Sequence, residues 1–262
     1  MKILEVRNLT VKFNDFIAVK NVSFDLYQGE ILGIVGESGS GKTTIARAIL
    51  KILEPNAKVE GNILWKGIDL FKIKEEEMTK IRGSQIAMIF QNPQLALNPS
   101  FTIGEQMISL LKLHKNIKNQ DALETAKNFL KIVRAESLIP KLNYYPNQIS
   151  MGEAQRVMIA MALMCEPELL ICDEPTSSLD VTLQAEILQL ISDLQNKLKF
   201  SIIFISHDLA IISKISSRVL VMFKGEIIEE GSTEKIFKNP KNEYTQKLLK
   251  SAMFLNLKLN LD

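Results

Sequence analysis

The reading turns on residues 31–44, Ile31-Leu-Gly-Ile-Val35 running into Gly36-Glu37-Ser38-Gly39-Ser40-Gly41-Lys42-Thr43-Thr44. A short apolar run of this kind suits a buried strand. The loop after it fits G-x-x-x-x-G-K-[ST], and a helical pattern follows, with Ile45, Ala46, Ile49, Leu50 and Leu53 on one face until Pro55 stops it. The residue types answer to phosphate chemistry. Glycines let backbone N–H groups turn toward phosphate oxygens, and a helix N-terminus adds partial positive charge. Lys42 would reach the β- and γ-phosphates, and the Thr43 hydroxyl would ligate magnesium. Gly36 to Thr44 therefore read as a nucleoside triphosphate site.

Two further strand ends carry chemistry. Leu169-Leu-Ile-Cys172 leads into Asp173-Glu174, which places two carboxylates at the carboxyl end of a strand. Asp173 is the expected magnesium ligand, directly or through a second shell, and Glu174 the base or polariser of an attacking water. His207 follows the strand Ser201 to Ser206 and precedes Asp208, where it would contact the γ-phosphate. The other histidine, His114, lies in a polar Leu-His-Lys context and reads as surface.

The rest of the chain frames these points. Ile3 to Leu9 and Val22 to Leu26 read as strands, with a turn at Gly29-Glu30. Ile86 to Phe90 is another strand, ending at Gln91-Asn92-Pro93. From Phe101 to Met164 apolar residues recur at helical spacing, which predicts an all-helical insert. Strands return at Leu169 to Cys172, Ile202 to Ile205 and Val219 to Phe223, with a helix from Leu183 to Leu198 between the first two. This alternation predicts an α/β fold, a parallel sheet with helices on both faces, in one domain over residues 1–262. The Met158, Met161, Ala162, Cys165 stripe reads as core of the insert. The Lys-rich stretches 72–80 and 112–118 read as solvated helix faces.

Composition excludes several classes. The 262 residues include 46% hydrophobic and 24% charged, with 12 Gly and 8 Pro, which is a folding chain rather than a disordered one. Its 32 Lys and Arg against 30 Asp and Glu leave +2, too little for nucleic-acid binding through a broad basic face. The longest apolar run, Val157 to Cys165, is half a membrane span, and Glu5 and Arg7 interrupt what a signal peptide would need. A cytoplasmic protein that meets the membrane through a partner is expected. The 2 cysteines, Cys165 and Cys172, match no metal spacing and read as buried thiols.

In order, the phosphate loop, Gln91, Ser150-Met-Gly-Glu153, Leu169 to Glu174, Ser178-Leu-Asp180 and His207 resemble the nucleotide-binding subunit of an ABC transporter over essentially the whole chain. That resemblance implies ATP and Mg2+, with Gln91 sensing the γ-phosphate and magnesium and linking the site to a membrane permease. It implies that residues 101–164 form a helical subdomain, that the N-terminal strands form a small antiparallel sheet, and that residues 234–262 form a short helical tail. Asp180 would lie in the loop joining two protomers. Phe13 is the candidate for stacking on adenine, with Phe16 as alternate, and a core role for either stays open. Two permease subunits, a second ATP-binding subunit and an extracytoplasmic solute-binding protein are the implied partners, with the chain peripheral at the cytoplasmic face of the membrane. No nucleic-acid partner is implied.

The signature departs from the family's usual L-S-G-G-Q or S-G-G-M. Ser150 and Gly152 survive to offer a hydroxyl and an N–H to the partner's γ-phosphate, but Met151 replaces a glycine and Glu153 brings negative charge. A weakened partner site, and hence a different paralogue as partner, is the expectation. Met88 to Pro99, Glu174 to Gln184 and Asn239 to Ser251 resemble the peptide/nickel importer branch. The short tail after Ser251 carries no cysteine, unlike the cysteine-rich tail of many peptide-type members, and leans the reading to nickel or a metal chelate over di- or oligopeptides. A kinase or GTPase would not need the Ser150 or Asp180 motifs. A DNA-repair or ribosome-acting ATPase of the same superfamily would carry a coiled-coil or zinc insertion, or a second cassette.

Overall fold

The computed structural model describes residues 1–259, with side chains described to Ser251. In chain order the elements are β1 (Lys2–Phe13), β2 (Phe16–Tyr27), β3 (Ile31–Val35), α1 (Lys42–Ile49), β4 (Ala57–Trp65), β5 (Ile68–Asp69), α2 (Glu75–Ile81) and β6 (Ile86–Ile89). Then come α3 (Pro93–Ala96), α4 (Ile103–Lys115), α5 (Asn119–Ile132), α6 (Met151–Leu163), β7 (Leu169–Asp173) and α7 (Val181–Leu198). The last elements are β8 (Ser201–Ser206), α8 (Leu209–Ile215), β9 (Arg218–Phe223), β10 (Glu226–Ser232), α9 (Thr233–Lys238) and α10 (Glu243–Leu259). The chain forms two compact units, one of residues 1–78 with 201–262 and one of residues 79–200.

The first unit holds two sheets. One is antiparallel with order β2-β1-β4-β5, and the other runs β10-β9-β3-β8. β3 is the centre of the second, parallel to β8 (Val35 opposite Ser206) and to β9 (Val35 opposite Val221). Leu32, Ile34 and Val35 are fully buried, as a strand covered on both faces requires. The register brings the ends of β3, β8 and β9 to one edge, where the chain turns into the phosphate loop, His207 and Lys224. Arg218 ties the two sheets together. Its Nε donates to the Glu30 carboxylate at 2.7 Å, Nη2 donates to the Asp25 carbonyl, Nη1 pairs with Glu230, and its guanidinium lies over the Tyr27 ring.

The second unit pairs β6 and β7 in parallel, with Ile89 opposite Cys172, so Gln91 and Asp173-Glu174 leave the same end of that pair. Helices α4, α5 and α6 fall within residues 101–164, but the compact unit extends beyond them to take in β6, β7 and α7. Leu111, Ala126, Leu130, Val157 and Ile159 form its core. Met158, Ala162 and Cys165 are buried as expected while Met161 is only half-buried, and both cysteines are free thiols.

Several expectations need correction. Helix α1 ends at Ile49, capped at Leu50, and Lys51 adopts a left-handed φ of 54°, so Leu53 is off the helix and Pro55 does not stop it. β1 and β2 are longer than their apolar runs. β4, β5 and β10 escape the apolar pattern because most of their residues are half-buried or exposed, as in the Glu-rich Glu226–Ser232. β10 also runs antiparallel to β9, a departure from an all-parallel sheet. His114 is half-buried rather than surface, close to Gly83: a Cβ at Gly83 would lie 2.9 Å from its Nε2. Of the 234–262 tail, helices α9 and α10 reach Leu259, and 260–262 lie outside the described residues.

Candidate active site

The phosphate loop is shaped by backbone that only glycine tolerates. Gly41, the N-cap of α1, has φ +100°, and a Cβ there would meet the Ala18 carbonyl at 2.4 Å. At Gly36 a Cβ would meet the Met222 carbonyl at 2.2 Å, so the loop lies directly against the chain leaving β9. Lys42 is 5% exposed, and its ammonium donates to the Gly36 and Glu37 carbonyls, each at 2.8 Å. Ser40 is buried with it, while Glu37, Ser38 and Gly39 are exposed and Thr43 and Thr44 partly so. The N-cap is a glycine with no side chain to cap the helix, and no acid sits in the first turn of α1 to offset its positive end. A cradle that excludes Cβ atoms, a glycine-started helix with no acid in its first turn and a buried ammonium fit a polyphosphate.

His207 stands just past β8 at the same edge as this loop and is exposed. Its neighbour Asp208 is the N-cap of α8, accepting the Ala210 N–H at 2.7 Å. Phe13 ends β1 opposite Phe16 and Ala57 and is partly buried, while Phe16 is 63% exposed.

In the other unit the Gln91 side-chain amide donates to the Glu174 carboxylate at 3.1 Å. Glu174 holds a left-handed φ of 47°, and its carbonyl accepts the N–H and the hydroxyl of Ser177. Ser178 donates its hydroxyl to the Gln91 carbonyl at 3.1 Å, which fixes the segment after β6 to the one after β7. Asp173 is 4% exposed at the end of its strand.

The signature residues gather about a cavity of about 470 Å³, lined among others by Ser150, Met151, Gly152, Glu153, Arg156 and Asp180. Ser150 caps α6: its hydroxyl accepts the Glu153 N–H at 3.2 Å, and the Glu153 carboxylate accepts the Ser150 N–H at 2.9 Å. Lys141 lies 2.7 Å from Glu153. Lys141, with the Ser150 N–H, holds that carboxyl below the usual carboxylate range against the opposing effect of burial. Met151 is the first helical residue and not among the positive-φ positions, so a side chain there costs no left-handed backbone. Gly152 packs closely on α7, where a Cβ would meet the Leu183 Cδ2 at 2.6 Å, the movable end of a side chain. Asp180 closes its loop as the N-cap of α7, accepting the Leu183 N–H at 2.9 Å.

Sequence reasoning missed Lys141, Ser178 as the tie to Gln91, and Tyr244, whose hydroxyl lies at the Glu37 N–H. Lys141 had no motif to announce it. Ser178 and Tyr244 stood inside quoted motifs without an assigned role.

Comparison with known proteins shows the family. Residues 19–177 match the ABC transporter family. The chain is 45% identical over 262 residues to the dipeptide transport ATP-binding protein DppD of Bacillus subtilis, covering 98% of this chain and 78% of that one. It is 43% identical over 256 residues to the oligopeptide transport ATP-binding protein OppD of the same organism, covering 95% and 72%. Among solved structures, the dimeric post-hydrolysis state of the ATP-binding cassette MJ0796 bound to ADP and Pi superposes with TM-score 0.77 at 29% identity, covering 88% of this chain and 98% of that one. The chain belongs to the ABC transporter family. Within it, the chain is an ATP-binding, ATP-hydrolysing subunit of an importer.

Proposed function

We propose that the imported solute is a di- or oligopeptide. The observation that carries this is the similarity to DppD and OppD over 98% and 95% of this chain, which outweighs the lean to nickel drawn from the short tail. ATP would be held by Gly36 to Thr44, with Phe13 or Phe16 against the adenine. Magnesium, when bound, neutralises phosphate charge. The Asp173 carboxylate, the Thr43 hydroxyl and the Gln91 amide are the donors that would hold it, hard oxygen groups of the kind it takes alongside phosphates. Gln91 fits this role because its amide nitrogen is engaged by Glu174, leaving its oxygen on the other branch.

Glu174 then acts as the base for water, held by Gln91, and His207 contacts the γ-phosphate. Ser150, Gly152 and Glu153 face the ATP of a second ATP-binding subunit, a different paralogue, and Asp180 serves the joint between the two. Glu153 opposes the incoming phosphate, with Lys141 offsetting part of its charge. Two membrane permease subunits and an extracytoplasmic binding protein complete the assembly, with this chain peripheral at the cytoplasmic face and no nucleic acid involved. Among the described residues no helix is long and apolar enough to cross a membrane. Uptake of a labelled dipeptide and of labelled nickel in a deletion strain tests the reading. Loss of the first with the second retained is expected, and the reverse would overturn it.

A further inference from the structure

The segment Asn239-Pro-Lys-Asn-Glu-Tyr244 lies far from the phosphate loop in sequence but touches it in the fold. The Tyr244 hydroxyl accepts the Glu37 backbone N–H at 3.4 Å, and the Glu37 carboxylate also engages that hydroxyl. The Glu37 carbonyl in turn accepts from the Lys42 ammonium at 2.8 Å. Both main-chain polar groups of Glu37 are thereby held, one by the C-terminal segment and one by the lysine that meets phosphate. The Tyr244 ring packs on Phe223 with centroids 4.2 Å apart, one residue past Met222, whose carbonyl lies against Gly36. The segment is itself anchored. Glu229 accepts the N–H groups of Lys241 and Asn242 at 2.7 and 3.2 Å, and Asn242 caps the Tyr244 N–H at 2.8 Å.

We propose that Tyr244 is a positioning residue for the phosphate loop, through which the C-terminal segment sets the loop's affinity for nucleotide. An exposed loop that must present its N–H groups inward loses affinity if it samples other conformations, because binding must then pay to order it. Tyr244 limits that sampling from outside, without touching the nucleotide. The inference rests on the phosphate-loop reading and goes beyond it, since it assigns nucleotide control to residues outside the loop.

The test compares the purified full chain with Tyr244→Phe, which keeps the ring on Phe223 and removes the hydroxyl. Three quantities are read: the dissociation constant of a fluorescent N-methylanthraniloyl ATP, the hydrogen-exchange rate of the Glu37 amide without nucleotide, and the melting temperature. Affinity should fall about three- to tenfold, as one hydrogen bond warrants. The Glu37 amide should exchange faster, and the melting temperature should change little. Wild-type affinity and exchange in the variant would overturn the proposal, as would a lower melting temperature with affinity unchanged. Failure of the wild-type chain itself to bind the analogue would overturn the phosphate-loop reading and this inference with it, a result distinct from the others.

Discussion

Gln91 and Glu174 meet side chain to side chain, amide nitrogen to carboxylate at 3.1 Å, at the same end of the paired strands β6 and β7. The contact orients a carboxylate that stands at a strand end with its backbone turned left-handed. Glu174→Gln should lower ATP hydrolysis by about 10²- to 10⁴-fold, the usual worth of a positioned general base, while ATP binding stays within a few-fold. Gln91→Ala should cost less, because the Glu174 carboxylate remains and its backbone carbonyl still accepts from Ser177. Steady-state hydrolysis alongside nucleotide titration separates the two effects, and a fully active Glu174→Gln variant would remove Glu174 from the chemistry.

Glu153 serves both as a cap and as a charge. Glutamine can replace it in the reciprocal cap with Ser150 but cannot pair with Lys141. Glu153→Gln should therefore raise ATP turnover in the assembled transporter. Met151→Gly should do less, because Met151 already sits in ordinary helical backbone. Equal rates in wild type and both variants would show that the signature's departure is without consequence.

Gly152→Ala places a methyl group 2.6 Å from the end of Leu183, a clash that a leucine side chain can partly relieve. The expected destabilisation is about 1–3 kcal/mol, and Leu183→Ala in the same chain should recover part of the local strain, so the two effects are not additive. Denaturant melts of the single and double variants measure the coupling, and strict additivity would contradict the contact.

Burial pushes His114 below its ordinary 6.5. The unfolded chain then binds a proton more readily than the folded one, so stability is full above the unfolded value and falls as pH drops from there through the folded value. Melting temperatures from pH 8 to pH 5 should decline more steeply for wild type than for His114→Gln. Parallel curves would place His114 in solvent.

Much of the site was legible because its residues mark transitions. Val35 into Gly36, Cys172 into Asp173 and Ser206 into His207 are all points where a buried apolar strand meets polar chemistry, and such steps show in one dimension. What did not show depends on partners distant in sequence or on polar surfaces. β10 is a strand because it pairs with β9, although it is only half-buried and carries Glu226, Glu229 and Glu230. The end of α1 was misplaced because Leu50 and Leu53 continue its apolar spacing while Lys51 turns the backbone out of the helix. Lys141 reaches Glu153 through a fold no motif encodes.

The most direct measurement is accumulation of a labelled dipeptide in right-side-out vesicles carrying the permease, this chain and its companion ATPase, with ATP enclosed in the lumen and the solute-binding protein and dipeptide outside. Wild-type vesicles should concentrate the dipeptide and Lys42→Ala vesicles should not. Equal accumulation by both would contradict the account at its root.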